Sequence, residues 1–232
     1  MLHLLKAPDF VSIINLLFGM AAVFLAFSGA YGAAAACLLI AAAADGVDGY
    51  VARKTSSGPL GAHIDSLVDT VSFGVAPAVI IYCISESFIS VVFVCFYLIC
   101  GILRLARYNA FPSKEPGYSG IPITGACVAI AVFIIMYLNL EKIEVVFPYG
   151  IEILMIFMFV LSLLMISTVP YSKVMKKGTF VVLIIVFLGT IASVFIGNPV
   201  IIVFPLILSV LMLMYLISPL AGIIGKKKSV DL

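Results

Sequence analysis

Residues 31–53 read YGAAAACLLIAAAADGVDGYVAR, a run of small and apolar side chains that ends in two aspartates and an arginine. A helix of about 20 predominantly apolar residues crosses a bilayer, and alanine is the strongest helix former. The stretch therefore reads as a membrane span that delivers charge at one end. The whole chain agrees: 64% of its 232 residues are hydrophobic, 10% are charged and the mean hydropathy is +1.31. Soluble domains have roughly 45–50% and about 25%. A formal net charge of +2 is too small for a nucleic-acid partner. Tryptophan is absent, so tyrosine and phenylalanine must supply the aromatic belts.

Outward from this run, the other apolar stretches and their turn-forming breaks predict eight helices, at about 10–28, 31–53, 61–84, 87–106, 121–139, 147–167, 179–196 and 199–217. The first is read as a helix, not a leader peptide. Only Lys6 gives the preceding segment strong positive charge, and Ser12 and Asn15, polar groups inside the run, read as functional residues. Alternating helices place twelve of the thirteen basic residues on one side, with Lys142 alone opposite, among Glu86, Glu141, Glu144 and Glu152. The positive-inside rule makes the basic side, and both termini, cytoplasmic. The expected fold is all-α, a polytopic membrane bundle forming one domain over 1–232, with its motif helices within about 31–84. The five cysteines are odd in number, lie in apolar runs and contain no CxxC pair, so they read as packing residues.

Chemistry concentrates at the end of the second helix and in the third. Asp45 and Asp48 are spaced i, i+3 and Asp65 and Asp69 i, i+4, so each pair shares a helix face. A short connection between antiparallel helices brings the four carboxylates together. Like charges near a membrane repel and resist desolvation unless a cation or basic side chains neutralise them. Hard oxygen ligands favour Mg²⁺ or Mn²⁺, with Ca²⁺ a further resident or inhibitory ion. Mg²⁺ commonly shares its shell with substrate phosphates, which points to a phosphate-containing substrate. Gly46 and Gly49 bare the backbone there, and Ala52 extends the strip. Pro77 is placed to kink the third helix beyond Asp69, either opening a cavity or serving packing alone.

Asp45-x-x-Asp48-Gly49-x-x-Ala52-Arg53 followed by Gly61-x-x-x-Asp65-x-x-x-Asp69 resembles the motif of the CDP-alcohol phosphatidyltransferase family. Seven residues separate Arg53 from Gly61, where the family has eight. Five further runs are similar to the phosphatidylserine synthase branch: Ser12 to Leu16, Ser72 to Pro77, Arg104 to Asn109, Gly120 to Thr124 and Ser167 to Tyr171.

The resemblance implies transfer of a phosphatidyl group from CDP-diacylglycerol or CDP-archaeol to the hydroxyl of L-serine, with release of CMP, at the cytoplasmic face of a homodimer among membrane lipids. It also implies that Asp45, Asp48, Asp65 and Asp69 hold the divalent cation, with Asp69 as the general base. Gly49, Ala52 and Arg53 would bind the CDP moiety. A loop contact falls to one of Thr55, Ser56 and Ser57, of which Ser57 is the choice. Asn15 either reaches the same cleft or makes an interhelical hydrogen bond. Arg104 and Arg107, one helical turn apart, suit the carboxylate of serine, a lipid phosphate or headgroup snorkelling. Glycerol phosphate or inositol phosphate as acceptor and, from another class, divalent-cation transport are the alternatives. A transporter favours midplane ligands on broken helices.

Overall fold

The computed structural model describes residues 6–54, 60–111, 118–145, 147–171, 177–196 and 202–228. Its helices are α1 (Ala7–Phe27), α2 (Tyr31–Lys54), α3 (Gly61–Asp69), α4 (Ala76–Ser85), α5 (Phe88–Ala110), α6 (Ile123–Lys142), α7 (Gly150–Ile166), α8 (Lys177–Phe195) and α9 (Val203–Lys228). A π-helical turn, Thr70–Val75, joins α3 to α4. Two short strands, β1 (Tyr118–Ser119) and β2 (Pro170–Tyr171), pair antiparallel with Tyr118 opposite Tyr171.

Among the described residues, five segments are long and apolar enough to cross a membrane: Pro8–Phe27, Tyr31–Asp48, Gly61–Ser85, Phe88–Ala110 and Ile123–Lys142. Gly150–Ile166, Val182–Phe195 and Val203–Pro219 are shorter apolar helices. Each of these eight segments overlaps one of the eight helices expected from the sequence.

Large apolar side chains such as Phe73, Leu38, Ile80, Ile130 and Ile134 fill the core, while α1 turns its large apolar side chains outward and its small or polar ones inward, as a lipid-facing helix can. On α1, Phe10, Leu17 and Phe24 are exposed, whereas Ser12, Asn15, Ala22 and Ala26 are buried. The alanines of α2 allow close packing: Ala34, Ala35, Ala36 and Ala41 are buried against neighbouring helices. At Gly19 of α1, an added Cβ would collide with the Ser72 side chain. Here α1 approaches the π turn almost backbone to backbone.

The third helix expected from the sequence is thus interrupted, and the interruption lies before Pro77. Proline has no N–H and crowds the carbonyl four residues back, which here is that of Phe73. The hydroxyl of fully buried Tyr97 donates to that carbonyl at 2.8 Å. A carbonyl in the membrane interior costs several kcal/mol if unsatisfied, so Tyr97 stabilises the break. The π turn fixes how the backbone leaves Asp69.

Within this all-helical bundle, β1 and β2 add one two-residue ladder. Gly120, with φ +77°, follows β1, and a Cβ there would meet the carbonyl oxygens of Met165, Leu164 and Ser167 at 2.6, 2.8 and 2.9 Å. Its N–H donates to Val169 at 2.9 Å, and that of Ile121 donates to Leu164 at 3.2 Å. These bonds tether the start of α6 to the end of α7.

Candidate active site

α2 and α3 bring the aspartates together from two directions. Ligand oxygens of Asp45, Asp48 and Asp65 all lie within 4.8 Å of one another. Asp69, one turn beyond Asp65, lies within electrostatic range of Asp45, Asp48 and Asp65. Carboxylates gathered this closely share protons or give their charge to a cation. Asp48 and Asp69 are buried, and Oδ1 of Asp69 meets no hydrogen-bond donor among the described residues.

The cluster lies towards one end of α2. Asp45 is fourteen residues from Tyr31, or about 21 Å along the helix at 1.5 Å per residue. Hydrogen bonds near Tyr31 belong to the opposite end of the bundle, where its hydroxyl donates to the Cys83 carbonyl at 3.0 Å.

The donor set fits a hard divalent ion. Metal–oxygen distances of roughly 2.0–2.6 Å separate opposed ligands by about 4–5 Å, a span close to that of the three carboxylates. The unpartnered Oδ1 of Asp69 adds another oxygen beside them. The described residues include no second cluster of three or more histidine, cysteine or acidic side chains with this proximity. His63, between Gly61 and Asp65, is exposed.

Two hydroxyls touch the cluster: Ser12, a polar group that stands out within the first apolar run, and Thr124, which the sequence offers only as the end of the run Gly120 to Thr124. Ser12 of α1 donates to Oδ2 of Asp48 at 2.9 Å, and Thr124 of α6 donates to Oδ2 of Asp45 at 3.1 Å. Asn109, at the end of α5, donates to the Ser66 hydroxyl at 2.8 Å and so ties α5 to α3. The signals for these residues are the runs Ser12 to Leu16, Arg104 to Asn109 and Gly120 to Thr124 and, for Ser12, its polarity inside an apolar helix.

Asn15 is fully buried, and neither its Oδ1 nor its Nδ2 finds a hydrogen-bond partner among the described residues. Its backbone carbonyl accepts from Ser72 at 3.3 Å. Among the described residues no interhelical side-chain bond occupies this amide. Buried polar groups are almost always satisfied, and an amide left open one turn from Ser12 is a candidate for ligand contact.

The two arginines separate. Arg104 is buried, lies within electrostatic range of Asp45 and Asp69, and has its guanidinium carbon 5.8 Å from the centroid of the Tyr108 ring. Arg107 meets main-chain oxygens. Its Nη1 donates to the carbonyls of Ile166 at 3.0 Å and Ser167 at 3.3 Å, and its Nη2 to Ser119 at 2.6 Å, Ser167 at 3.2 Å and Met165 at 3.4 Å. The last carbonyls of a helix have no intrahelical donor, and Arg107 caps those of α7 while holding β1. Gly49, Ala52 and Arg53 belong to α2 by backbone, with their side-chain surroundings outside the description, and Ser57 lies outside the described residues.

Residues 5–151 match the family described as CDP-alcohol phosphatidyltransferase. The chain belongs to this family, and with its membrane-spanning segments it is an integral membrane protein. It is 34% identical over 178 residues to archaetidylserine synthase of Methanothermobacter thermautotrophicus, covering 74% of this chain and 71% of that protein. It is 31% identical to CDP-diacylglycerol–serine O-phosphatidyltransferase of Methanocaldococcus jannaschii, over 84% of this chain and 86% of that one. The enzyme of the same name from Helicobacter pylori strain 26695 is 32% identical, over 79% of this chain and 80% of its own length.

Proposed function

We propose that the protein transfers the phosphatidyl or archaetidyl group of a CDP-linked lipid to the hydroxyl of L-serine, giving phosphatidylserine or its archaeal analogue and CMP. The observation that carries this reading is the aspartate cluster at one end of the bundle, with Arg104 beside it, in a chain whose relatives are named for this reaction. The serine oxygen attacks the phosphorus that bears the lipid. The bond from that phosphorus to the CMP oxygen breaks, and CMP leaves as an anion. The hydroxyl proton passes to Asp69, whose Oδ1 has no competing donor among the described residues.

Asp45, Asp48 and Asp65, bordered by Asp69, are the residues that would hold a divalent cation, Mg²⁺ or Mn²⁺. Bound there, the ion supplies positive charge to the phosphate oxygens. Asn15, Gly49, Ala52, Arg53 and Ser57 bind the CDP moiety in this reading. Arg104 pairs with the carboxylate of serine, for which a guanidinium fork is suited. Arg107 acts as a positioning residue at the junction of α5 and α7.

An acceptor screen tests the assignment. Purified protein with CDP-diacylglycerol or CDP-archaeol and Mn²⁺ or Mg²⁺ is expected to release CMP with serine at least tenfold faster than with glycerol phosphate, inositol or inositol phosphate. Preference for a phosphorylated acceptor would reject serine as the substrate.

The whole of 1–232 forms one catalytic domain with eight spans, both termini and the site facing the cytoplasm. The charge asymmetry supports that orientation. In a cysteine-free background, an impermeant maleimide applied to intact cells is expected to label Glu86→Cys and to reach Phe111→Cys only after permeabilisation. Both labelled from one side would break the map. A homodimer follows from the family resemblance, and native mass spectrometry in detergent reads its subunit count: a monomer alone would reject it.

A further inference from the structure

Helix-borne hydroxyls in this bundle commonly return their proton to a carbonyl four residues back. Ser66 does so at 3.1 Å, Thr70 and Thr190 at 2.8 Å, and Ser162 and Ser209 at 2.7 Å. Ser12 departs from that pattern. Its oxygen is 3.4 Å from the Pro8 carbonyl but 2.9 Å from Oδ2 of Asp48, on a different helix. Thr124 lies in the first turn of α6, four residues after Gly120, which precedes the helix, and its hydroxyl goes to Oδ2 of Asp45 at 3.1 Å.

Both hydroxyls therefore address carboxylates of α2, one from α1 and one from α6. A carboxylate offers two oxygens and about four lone-pair sites. Holding one oxygen fixes the rotation of the group and hence the direction of the other. A neutral hydroxyl does this without cancelling the negative charge, which an ammonium partner would. The anchor under Thr124 is itself fixed, because Gly120 and Ile121 bond to the end of α7 and Arg107 holds the Ser119 carbonyl.

We propose that Ser12 and Thr124 are positioning residues for a divalent cation, setting the oxygens of Asp48 and Asp45 before the ion arrives. The proposal rests on the cation-binding reading given above. Partners of metal-binding side chains typically contribute about 10–100-fold to metal affinity. Simple interhelical staples would change thermal stability and leave metal affinity alone.

The experiment is Mn²⁺ titration of the full-length protein in detergent, followed by electron paramagnetic resonance without substrate. Thr124→Val and Ser12→Ala are expected to weaken Mn²⁺ binding by roughly tenfold or more. Thr124→Ser, which keeps the hydroxyl, is expected to bind like the wild type, and Asp45→Asn to lose the site. Unchanged affinity in either hydroxyl-deleted variant, even with a lowered melting temperature, would overturn the role of that hydroxyl. Should Thr124→Val not fold, Thr124→Ala against Thr124→Ser makes the same comparison, and equal affinity overturns the role. Wild-type protein indistinguishable from Asp45→Asn would instead overturn the cation-binding reading, and the proposal with it.

Discussion

Asp45→Asn or Asp48→Asn is expected to reduce CMP release by roughly 10²–10³-fold while the protein still folds. The amide oxygen of asparagine can still accept the hydrogen bond that Thr124 or Ser12 donates to the aspartate. Local geometry is thus kept while one negative charge is removed, and the substitution isolates the effect of charge. Charge stabilisation at a phosphoryl oxygen by a metal ion is worth several kcal/mol, and about 1.4 kcal/mol corresponds to one factor of ten in rate. EDTA should produce the same loss in the wild type, reversed by added Mn²⁺ or Mg²⁺. CMP release and thermal melting, measured together, separate lost chemistry from lost fold. Activity within tenfold of wild type in both variants, or full activity in EDTA with residual metal excluded, would remove the metal from the mechanism.

The aspartates were legible because their spacing is local. Asp45 with Asp48, and Asp65 with Asp69, share helix faces whatever the rest of the bundle does, and few residues separate the two helices. Ser12 and Thr124 were harder to assign because their partners depend on how α1 and α6 rotate about their own axes. In a soluble helix the apolar stripe reveals that rotation, but in a lipid-facing helix both faces are apolar. Phe10, Leu17 and Phe24 point outward on α1 while Ala22 and Ala26 point inward, so hydrophobicity alone would have turned the helix the wrong way.

Arg107 illustrates a different limit. Its carbonyl partners at Met165, Ile166 and Ser167 lie about sixty residues further along the chain, and main-chain oxygens leave no trace in side-chain chemistry. The π turn was hidden for a related reason. Pro77 signalled an irregularity, but the break is a widened turn before it, and its carbonyl acceptor is satisfied by Tyr97 from another helix. Strands of two residues, such as β1 and β2, are too short to show an alternating pattern.

Asp69 and Arg104 should separate kinetically because they act on different parts of the serine molecule. Asp69→Asn is expected to lower kcat by roughly 10²–10⁴-fold, the usual contribution of a positioned general base. CDP-lipid binding at equilibrium should largely persist, since Asn15, Asp45, Asp48, Gly49 and Arg53 remain. Arg104→Ala is expected to raise the KM for serine by about tenfold or more, and to affect that for CDP-lipid less, since a charged pair with the serine carboxylate is lost. Its closeness to Asp45 and Asp69 makes some loss of kcat part of the same expectation. Arg107→Ala should instead lower the melting temperature, because the carbonyls at the end of α7 lose their donor. Kinetic constants for both substrates, CDP-lipid binding and melting curves for the three variants decide among these roles. Near-normal turnover in Asp69→Asn would reject the base. An unchanged serine KM in Arg104→Ala would reject the carboxylate contact, and a serine KM raised by Arg107→Ala at unchanged stability would move that contact one turn along α5.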